Sequence, residues 1–397
     1  MTVWIANPFD TLPQEGGRSM RYWLMARAFV RAGHRVVYWT ADFNHATKRV
    51  RSPEAFAADG EDIDGVRLVA VHEPPYRKNI SLRRLWAHWR WAKNWRKAAE
   101  RLVDAEGKAP DLTIVSSPPL CICGEARKFA RRTGGRVIVD VMDAWPETFE
   151  RVAPRWALWP LRRLARANYL GADAITTVAD NYIETVRGYG YAGPVRRFYH
   201  GISIGAAPAR KTGTDADKDF ASPLAVAYVG NLGRTYDLET VVEAVGMVDG
   251  ATLEIAGAGD MEESLRRFAS ACAAPGRVTF RGYLGADELA RLLAGADVGV
   301  VPMPPESCVG IPYKLADYSA AGLAVASSLG GECDRILARH NAGASYRWRD
   351  PQSLANALRR IKASLPAMKA ASRRMAEELF DADRIYREYV EYAMETK

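Results

Sequence analysis

The sequence of 397 residues lacks any apolar run long enough to cross a bilayer, and it contains only five cysteines. These stand at positions 121, 123, 272, 308 and 333, without the spacing of a zinc site or a disulfide framework. The N-terminus shows no basic and then apolar secretory segment, because Met1 leads directly into a strand-like run. We therefore expect a cytoplasmic protein with free thiols.

One stretch of the chain lacks acidic residues. Residues 77–97 contain eight Lys and Arg but no Asp or Glu, and the rest of the chain holds 47 basic and 47 acidic residues. The formal net charge of +8 therefore comes from this stretch. Projected as a helix, the stretch has two aromatic faces. The first contains Leu82, Leu85, Trp86 and Trp89, and the second contains Trp91 and Trp95.

Two aromatic faces on one helix require two partners. We expect one face to pack on a sheet. Trp91 and Trp95, beside Arg84 and Arg90, are then predicted to contact an anionic membrane surface. Residues 151–166 form a second patch rich in Arg and Trp. The alternative is a solvated basic helix whose tryptophans belong to the core.

The length of the chain predicts two domains. Strand-like runs alternate with helical patterns twice along the sequence, which predicts an α/β fold with two doubly wound parallel sheets. The polar stretch 206–221 is typical of a linker, so the predicted domains are 1–205 and 222–375. The predicted strands are 3–6, 36–40, 66–71, 112–116, 137–141 and 174–178 in the first domain, and 225–229, 251–256, 278–280, 298–301 and 324–327 in the second.

Residues 309–322 place a proline, a lysine and a carboxylate at fixed helical offsets between two apolar runs. Pro312 suits the first turn of a helix, and Gly322 suits the position just past its end. The N-terminal end of such a helix attracts anions, and Lys314 adds a positive charge. Asp317 is suited to accept from the two hydroxyls of a ribose. The segment thus indicates a diphosphate and ribose site; the alternative is a connector helix whose Lys314 and Asp317 only pair with each other.

Two glycine-containing loops follow predicted strands in the same half. Residues 228–234 read Tyr-Val-Gly-Asn-Leu-Gly-Arg, and residues 255–260 read Ile-Ala-Gly-Ala-Gly-Asp. Glycines let the backbone approach a ligand closely, and Arg234 offers a forked donor to phosphate.

The order of these pieces resembles the donor-binding half of the family 4 glycosyltransferases, and most closely the branch that assembles bacterial surface polysaccharides. Residues 230–233 match its Gly-Asn-Leu-Gly loop. Residues 312–322 match its Pro-Ser-Lys-x-x-Glu-Tyr-x-Ala-x-Gly pattern, with Asp317 in place of Glu. The resemblance covers nearly the whole chain and implies the GT-B fold, two Rossmann-like domains facing a central cleft. It also implies that a last helix at about 376–397 packs back onto the first domain.

Two segments of the first half extend the resemblance. Gly16 and Gly17 follow the first strand and match the loop that approaches the donor phosphate, although a plain flexible loop is the alternative. Asp143, Trp145 and Glu147 match the branch's Arg-Asp-Leu-Trp-Pro-Glu segment, with Met142 in place of the arginine. Ligands bind at the strand ends of open parallel sheets, which also favours this segment. A salt-bridged loop is the alternative for Asp143 and Glu147.

The resemblance implies transfer of a sugar from a nucleotide-diphosphate donor to a hydroxyl of a lipid-linked glycan acceptor, at the inner face of the cell membrane. Retention of anomeric configuration is implied, and no metal or other cofactor is expected. The predicted catalytic residues are Asp143, Arg234 and Lys314, and the predicted acceptor residues are Trp145 and Glu147. The predicted donor residues are Gly16, Gly17, Gly230, Asn231, Gly233, Gly257, Gly259, Gly282, Tyr283, Leu284, Glu306, Gly310, Ile311, Pro312 and Asp317.

Two other functions use the same features. A nucleotide-sugar epimerase of this fold would need the nucleotide site without an acceptor, and a membrane-associated glycan-binding protein would need the basic aromatic patches without Lys314 or Asp317. Nucleic acid is not expected as a partner, because the nucleotide-sugar motifs account for the chain better than a basic patch alone.

Overall fold

The structure is a computed structural model that describes residues 1–15, 20–51, 61–204, 223–272 and 276–396. The chain divides into two compact units, one of Met1–Gly201 and Asp383–Lys397 and the other of Ile202–Ala382. The predicted linker 206–221, Gly16 and Gly17 lie outside the described residues. The second unit begins before that linker, because Ile202 forms a bridge with Asp381 and hydrogen bonds with Phe380 and Ala382.

The first unit is a sheet of eight strands with helices packed on it. Its strands run in the order β10-β9-β8-β7-β1-β2-β6-β5, and all pairs are parallel except β5 with β6. A separate antiparallel pair joins β3 and β4. The strands are β1 (Thr2–Ala6), β2 (Arg35–Ala41), β3 (Phe43–Asn44), β4 (Arg49–Val50), β5 (Glu61–Ile63), β6 (Val66–Val71), β7 (Leu112–Ser117), β8 (Arg136–Val141), β9 (Ala174–Thr177) and β10 (Val195–Arg197). The helices are α1 (Arg21–Arg31), α2 (Leu82–Glu106), α3 (Leu120–Thr133), α4 (Trp159–Leu170), α5 (Asp180–Gly188) and the last helix of the chain, α13 (Ala382–Glu395).

Helix α2 contains the basic stretch, and it begins where the Ser81 side chain accepts from the Arg84 amide at 3.2 Å. The predicted orientation of this helix was wrong. Trp91 and Trp95 are fully buried, and Trp95 packs on Trp39 of β2 with ring centroids 6.1 Å apart. Their face also contains Ala87, Ala92 and Ala99, whose small side chains let α2 approach the sheet closely. Leu82, Trp86 and Trp89 are exposed instead.

A buried ion pair fixes helix α13 to the first unit. The Arg21 guanidinium donates to both oxygens of Asp140 at 2.8 and 2.9 Å, and to the carbonyls of Phe198 and Tyr199. The rings of Tyr386 and Tyr389 from α13 lie 5.9 Å from the guanidinium. Removing either partner of the ion pair would leave a buried charge, which typically costs about 3–5 kcal/mol.

The second unit is a sheet of six parallel strands in the order β13-β12-β11-β14-β15-β16. The strand order reverses between β11 and β14, and ligands of doubly wound sheets bind at the carboxyl ends of strands beside such a point. The strands are β11 (Ala225–Val229), β12 (Thr252–Ala256), β13 (Val278–Gly282), β14 (Val298–Val301), β15 (Ala324–Ser327) and β16 (Gly343–Ser345). The helices are α6 (Leu238–Gly246), α7 (Glu262–Cys272), α8 (Ala286–Gly295), α9 (Tyr313–Ala320), α10 (Gly331–His340), α11 (Pro351–Ala363) and α12 (Leu365–Leu379).

The α/β class and the eleven predicted strands are confirmed, each within two residues of the observed bounds. Five further strands, β3, β4, β5, β10 and β16, were missed. Each is only two or three residues long, too short for a period-two pattern to stand out.

Candidate active site

Three backbone segments lie close together at the carboxyl end of the second sheet. The Gly230 amide, just after β11, donates to the Ala256 carbonyl at 2.9 Å, and the Gly257 amide donates to the Gly282 carbonyl at 2.7 Å. A methyl group on Gly257 would lie 1.8 Å from the Gly230 carbonyl oxygen, and one on Gly259 would lie 2.4 Å from the Leu232 oxygen. Glycine is therefore required for this close packing, and the predicted strand-to-helix loops form one surface.

Helix α9 places Lys314 directly on this surface. The Lys314 Nζ donates to the Val229 carbonyl at 2.6 Å and lies 4.9 Å from the ring centres of both Tyr228 and Tyr236. A methyl group on Gly230 would lie 1.9 Å from the same nitrogen. The ammonium therefore occupies the space that the missing Gly230 side chain leaves, at the end of β11.

A second side chain of α9 fixes the same peptide. The Tyr318 hydroxyl, one helical turn after Lys314, accepts from the Val229 amide at 2.9 Å. Its ring packs against Gly299 of β14, where a methyl group would lie 2.3 Å from ring carbons. Lys314 and Tyr318 thus hold the carbonyl and the amide of Val229, and they fix α9 beside the point where the strand order reverses. Sequence reasoning missed the role of Tyr318, although its spacing of four from Lys314 was visible.

The start of α9 differs from the prediction in one respect. Pro312 is the residue before the helix rather than in its first turn, with an extended ψ of 150°, and Tyr313 is the first helical residue. The Leu315 amide donates to the Pro312 carbonyl at 3.0 Å, so that amide is already satisfied. At the other end, Gly322 has a φ of +73° just past the helix, as predicted.

A polar and aromatic cluster occupies the carboxyl end of the first sheet. Asp143, just after β8, is half-buried and accepts from Trp145 Nε1 at 3.2 Å and from Thr148 Oγ1 at 3.0 Å. Burial raises the pKa of Asp143, while these hydrogen bonds and the charge of Arg84 oppose the rise. The Arg84 guanidinium lies 5.0 Å from the Trp145 ring centre and also within 6 Å of the rings of Phe9 and Tyr76.

Several members of this cluster were not predicted. Glu73 and His88 are buried side by side, with 3.8 Å between Glu73 Oε1 and His88 Nε2. His45 Nδ1 lies 2.6 Å from the Tyr76 hydroxyl and 3.3 Å from Lys48 Nζ. These residues come from the turn between β3 and β4, from the loop after β6 and from α2, so no contiguous motif joins them in the sequence. The one available signal was the position of each loop at the carboxyl end of a parallel strand.

Family comparisons match both units. The model described as "Glycosyl transferase 4-like domain" matches residues 16–200, and the model described as "Glycosyl transferases group 1" matches residues 223–364. The two matches together span most of the chain. The chain belongs to the family 4 glycosyltransferases.

Solved structures of glycosyltransferases with the GT-B fold match the whole of this glycosyltransferase. A sucrose-phosphate synthase from Thermosynechococcus elongatus has a TM-score of 0.76 at 18% identity and covers 99% of this chain and 98% of its own. HepE from Anabaena, solved with UDP, has a TM-score of 0.69 at 13% identity and covers 99% of both chains. The lipopolysaccharide outer core galactosyltransferase WaaB has a TM-score of 0.62 at 14% identity and covers 99% of both. At these identities the likeness shows the fold, and no curated protein matches the sequence.

The remaining predicted donor residues of the glycosyltransferase vary in exposure. Asn231, Arg234, Tyr283 and Glu306 are exposed, and Tyr283 is 87% accessible. Gly310 and Ile311 are buried beside the start of α9. The least exposed members, which are half-buried or buried, are Gly230, Gly233, Gly257, Gly259, Gly282, Leu284, Gly310, Ile311, Pro312, Lys314 and Asp317.

Two predicted residues of the first unit lie in environments that differ from the expectation. Arg84 was predicted to face a membrane, but it is half-buried among the rings of the cluster, because its position in α2 turns it toward the strand ends. Glu147 accepts from the Tyr189 hydroxyl at 2.6 Å and lies 3.7 Å from Arg162 Nη2. This is the ion-paired environment of the alternative reading, and an acceptor role for Glu147 stays a prediction.

The exposed aromatic side chains of the first unit form two groups among cations. The first, here called the α2 surface, consists of Leu82, Trp86 and Trp89; Arg83 stacks on Trp86 at 4.4 Å and Arg90 lies 6.0 Å from the Trp89 ring centre. The second consists of Val152, Trp156 and Trp159, with Arg163 at 5.2 Å from Trp159. Among the described residues, none of the helices combines the length and the hydropathy that crossing a bilayer requires.

Proposed function

We propose that this glycosyltransferase moves a sugar from a nucleotide-diphosphate donor to a hydroxyl of a lipid-linked glycan during the synthesis of a cell-surface polysaccharide. One observation supports the donor part above all others, namely that Lys314 and Tyr318 of α9 hold the Val229 peptide at the end of β11. The ammonium of Lys314 is thereby fixed beside the loops of Gly230 and Gly257, at the point where the strand order reverses. Doubly wound sheets bind nucleotides at this position.

In this proposal the second unit holds the donor. The diphosphate lies against the Gly230 loop and the start of α9, Lys314 and Arg234 face its oxygens, and Asp317 accepts from the ribose hydroxyls. Backbone groups of residues 282–284 hold the base. A similar structure supports a uridine nucleotide as the first donor to test, since Anabaena HepE was solved with UDP and with UDP-glucose.

Lys314 has a chemical role as well as a binding role. As the bond between the sugar and the diphosphate breaks, negative charge develops on the leaving oxygens, and a fixed ammonium stabilises that charge more than it stabilises the intact donor. We propose that this cation and Arg234 act where other transferases use a metal, and that the anomeric configuration is retained. Asp143 of the first unit is the proposed group that positions the acceptor hydroxyl.

The α2 surface supports a lipid-linked acceptor. Exposed tryptophans stacked with arginines suit the headgroup region of an anionic membrane, where the ring is partly buried and the guanidinium meets phosphate. The residues that carry this proposal are Trp86 and Trp89 with Arg83 and Arg90, since Trp91 and Trp95 are buried in the core. The glycosyltransferase then acts as a peripheral protein on the inner face of the cell membrane.

A thermal-shift panel of nucleotides tests the donor proposal. A ligand that binds only the folded protein raises its stability by RT ln(1 + [L]/Kd), so a nucleoside diphosphate at a hundred times its Kd contributes about 2.7 kcal/mol. We expect one base to raise the Tm of the wild type, and Asp317→Ala to reduce that rise. Arg339→Ala, a substitution at an exposed residue of α10, is the control. An equal shift for the wild type and Asp317→Ala would refute the ribose contact.

A second assay separates transfer from epimerisation. The wild type is incubated with the selected nucleotide sugar without an acceptor, and the anomeric and ring signals of the sugar are followed by NMR. We expect the donor to stay unchanged apart from slow hydrolysis, with or without EDTA. Appearance of an isomerised nucleotide sugar would identify an epimerase instead. With an acceptor present, the configuration of the new glycosidic bond reports retention.

Vesicle flotation tests the membrane proposal. We expect the wild type to float with phosphatidylglycerol vesicles at low salt, and a variant with both Trp86→Ala and Trp89→Ala to float much less. Trp348→Ala, in the second unit, is the matched control because its side chain lies outside the α2 surface. Failure of the wild type to float would remove membrane binding from the proposal and leave the donor site untouched.

A further inference from the structure

Two cations at the carboxyl end of the first sheet form no ion pair with a carboxylate of the described residues. Arg84 Nη1 donates to the Asn79 carbonyl at 2.7 Å, and Lys48 Nζ donates to the Asn79 side-chain oxygen at 2.6 Å. Within the ranges that the structure describes, neither forms an ion pair with Asp or Glu. Both are only partly buried, so a ligand can reach them.

The neighbouring histidines add donors rather than acceptors. Lys48 has no acceptor, so the His45 Nδ1 that lies 3.3 Å from its Nζ must accept, and the His45 proton is on Nε2. Arg84 Nε donates to His88 Nε2 at 3.3 Å, so the His88 proton is on Nδ1. That buried Nδ1 has no hydrogen-bond partner in the described part of the chain.

Glu73, the carboxyl group beside His88, does not neutralise Arg84. Glu73 is fully buried, and neither of its oxygens has a hydrogen-bond partner among the described residues. Burial raises the pKa of Glu73 to about 8, so it holds a proton at neutral pH. Burial and then the charge of Arg84 lower the pKa of Lys48 to about 8 and that of His45 to about 3. The cluster therefore has more hydrogen-bond donors than acceptors and an excess of positive charge. A bound anion would supply acceptors and balance the charge.

We propose that Arg84 and Lys48, with the His45 Nε2 proton beside them, bind a phosphate group carried by the acceptor. A phosphate offers only acceptor oxygens, which match a guanidinium fork, an ammonium and an imidazole N–H. Glu73 and His88 lie behind the guanidinium, and their protonation states leave Arg84 available for the ligand. The inference rests on the proposed function because it assigns this site to the acceptor. The phosphate belongs either to a soluble sugar phosphate or to the headgroup of a lipid phosphate.

Calorimetric titration with pyrophosphate tests the site on the full chain. UDP is added first to saturation, so that the donor site is filled and the remaining anion binding is measured separately. We expect the wild type to bind pyrophosphate, and Arg84→Gln and Lys48→Gln each to weaken binding about ten- to one-hundredfold, the worth of a charge-assisted hydrogen bond. Arg101→Gln is the matched control, because it removes the same charge from an exposed position of the same helix, α2.

The outcomes separate this inference from the proposed function. Saturable UDP binding without pyrophosphate binding would overturn the phosphate site and leave the donor proposal intact. Equal weakening by Arg101→Gln would also overturn it, because the effect would then be one of net charge. If Arg84→Gln lowers the Tm strongly, Lys48→Gln decides, since Lys48 makes no contact with the buried tryptophans in the described structure.

A second pair of ligands identifies the source of the phosphate. A hexose phosphate that competes with pyrophosphate for the wild type indicates a soluble acceptor. Binding to phosphatidylcholine vesicles that contain undecaprenyl phosphate, lost in Arg84→Gln and kept in Arg101→Gln, indicates a lipid acceptor. Either result supports the site. If the hexose phosphate does not compete and the vesicles do not bind, the site is refuted.

Discussion

The contact between Gly230 and Lys314 makes a sharp prediction about nucleotide binding. In Gly230→Ala the new methyl group would lie 1.9 Å from Lys314 Nζ, a distance that no folded structure tolerates. The ammonium is the flexible end of a side chain, so it moves rather than the backbone. Its hydrogen bond to the Val229 carbonyl, 2.6 Å in the wild type, is then lost, and the cation leaves the position that we assign to the diphosphate.

Two magnitudes follow from the structure. Gly230 has a φ of +140°, a conformation that L side chains rarely adopt, so alanine there costs about 1–3 kcal/mol of folding free energy. Displacing a cation from a phosphate removes a charge-assisted hydrogen bond of about 1.5–3 kcal/mol, which corresponds to a rise in the Kd for UDP of about ten- to one-hundredfold. Urea unfolding measures the first quantity and isothermal titration with UDP measures the second.

A matched substitution separates these effects from a general loss of glycine. In Gly246→Ala, at the end of α6, the nearest atom to the new methyl group is the Cys272 carbonyl oxygen at 3.9 Å, an ordinary contact. We expect this variant to bind UDP like the wild type. If Gly230→Ala also bound UDP with wild-type affinity while remaining folded, the reasoning about Lys314 would be refuted.

Three further predictions concern stability. Tyr318→Phe leaves the half-buried Val229 amide without its acceptor, so the free energy of unfolding falls by about 1–3 kcal/mol in urea titration, and an unchanged value would contradict this bond. Trp95→Ala opens a core cavity and costs about 3–5 kcal/mol, whereas Trp89→Ala on the α2 surface costs little; equal costs in thermal unfolding would contradict the orientation of α2. Because burial raises the pKa of Glu73 from 4.5 to about 8, folding takes up a proton between these values, and the wild type loses up to about 4–5 kcal/mol relative to Glu73→Gln as pH rises from about 4.5 to 8. Parallel pH profiles of the two proteins would contradict that buried acid.

The sheets were predictable because buried parallel strands are short runs of apolar and β-branched residues. The orientation of α2 was not predicted, because both of its faces carry tryptophans. The alanines at positions 87, 92 and 99 were the available signal, since a helix packs most closely along its small residues.

The two sites differ in how much the sequence revealed. The donor side was accessible because Gly230 and the α9 segment are contiguous motifs, each readable on its own. The loop after β6 and helix α2 bring Glu73, His88 and Arg84 together. Their significance depends on burial and on side-chain atoms that have no hydrogen-bond partner among the described residues. Such properties arise only from the folded arrangement, so residue types and spacing could not predict them.

The most direct measurement is a crystal structure of the full chain with the nucleotide sugar that the thermal-shift panel selects. Our account predicts the diphosphate against the Gly230 loop, with Lys314 Nζ within hydrogen-bond distance of its oxygens and Asp317 on the ribose. A nucleotide bound elsewhere in the chain, with Lys314 still on the Val229 carbonyl and no phosphate beside it, would contradict the central claim.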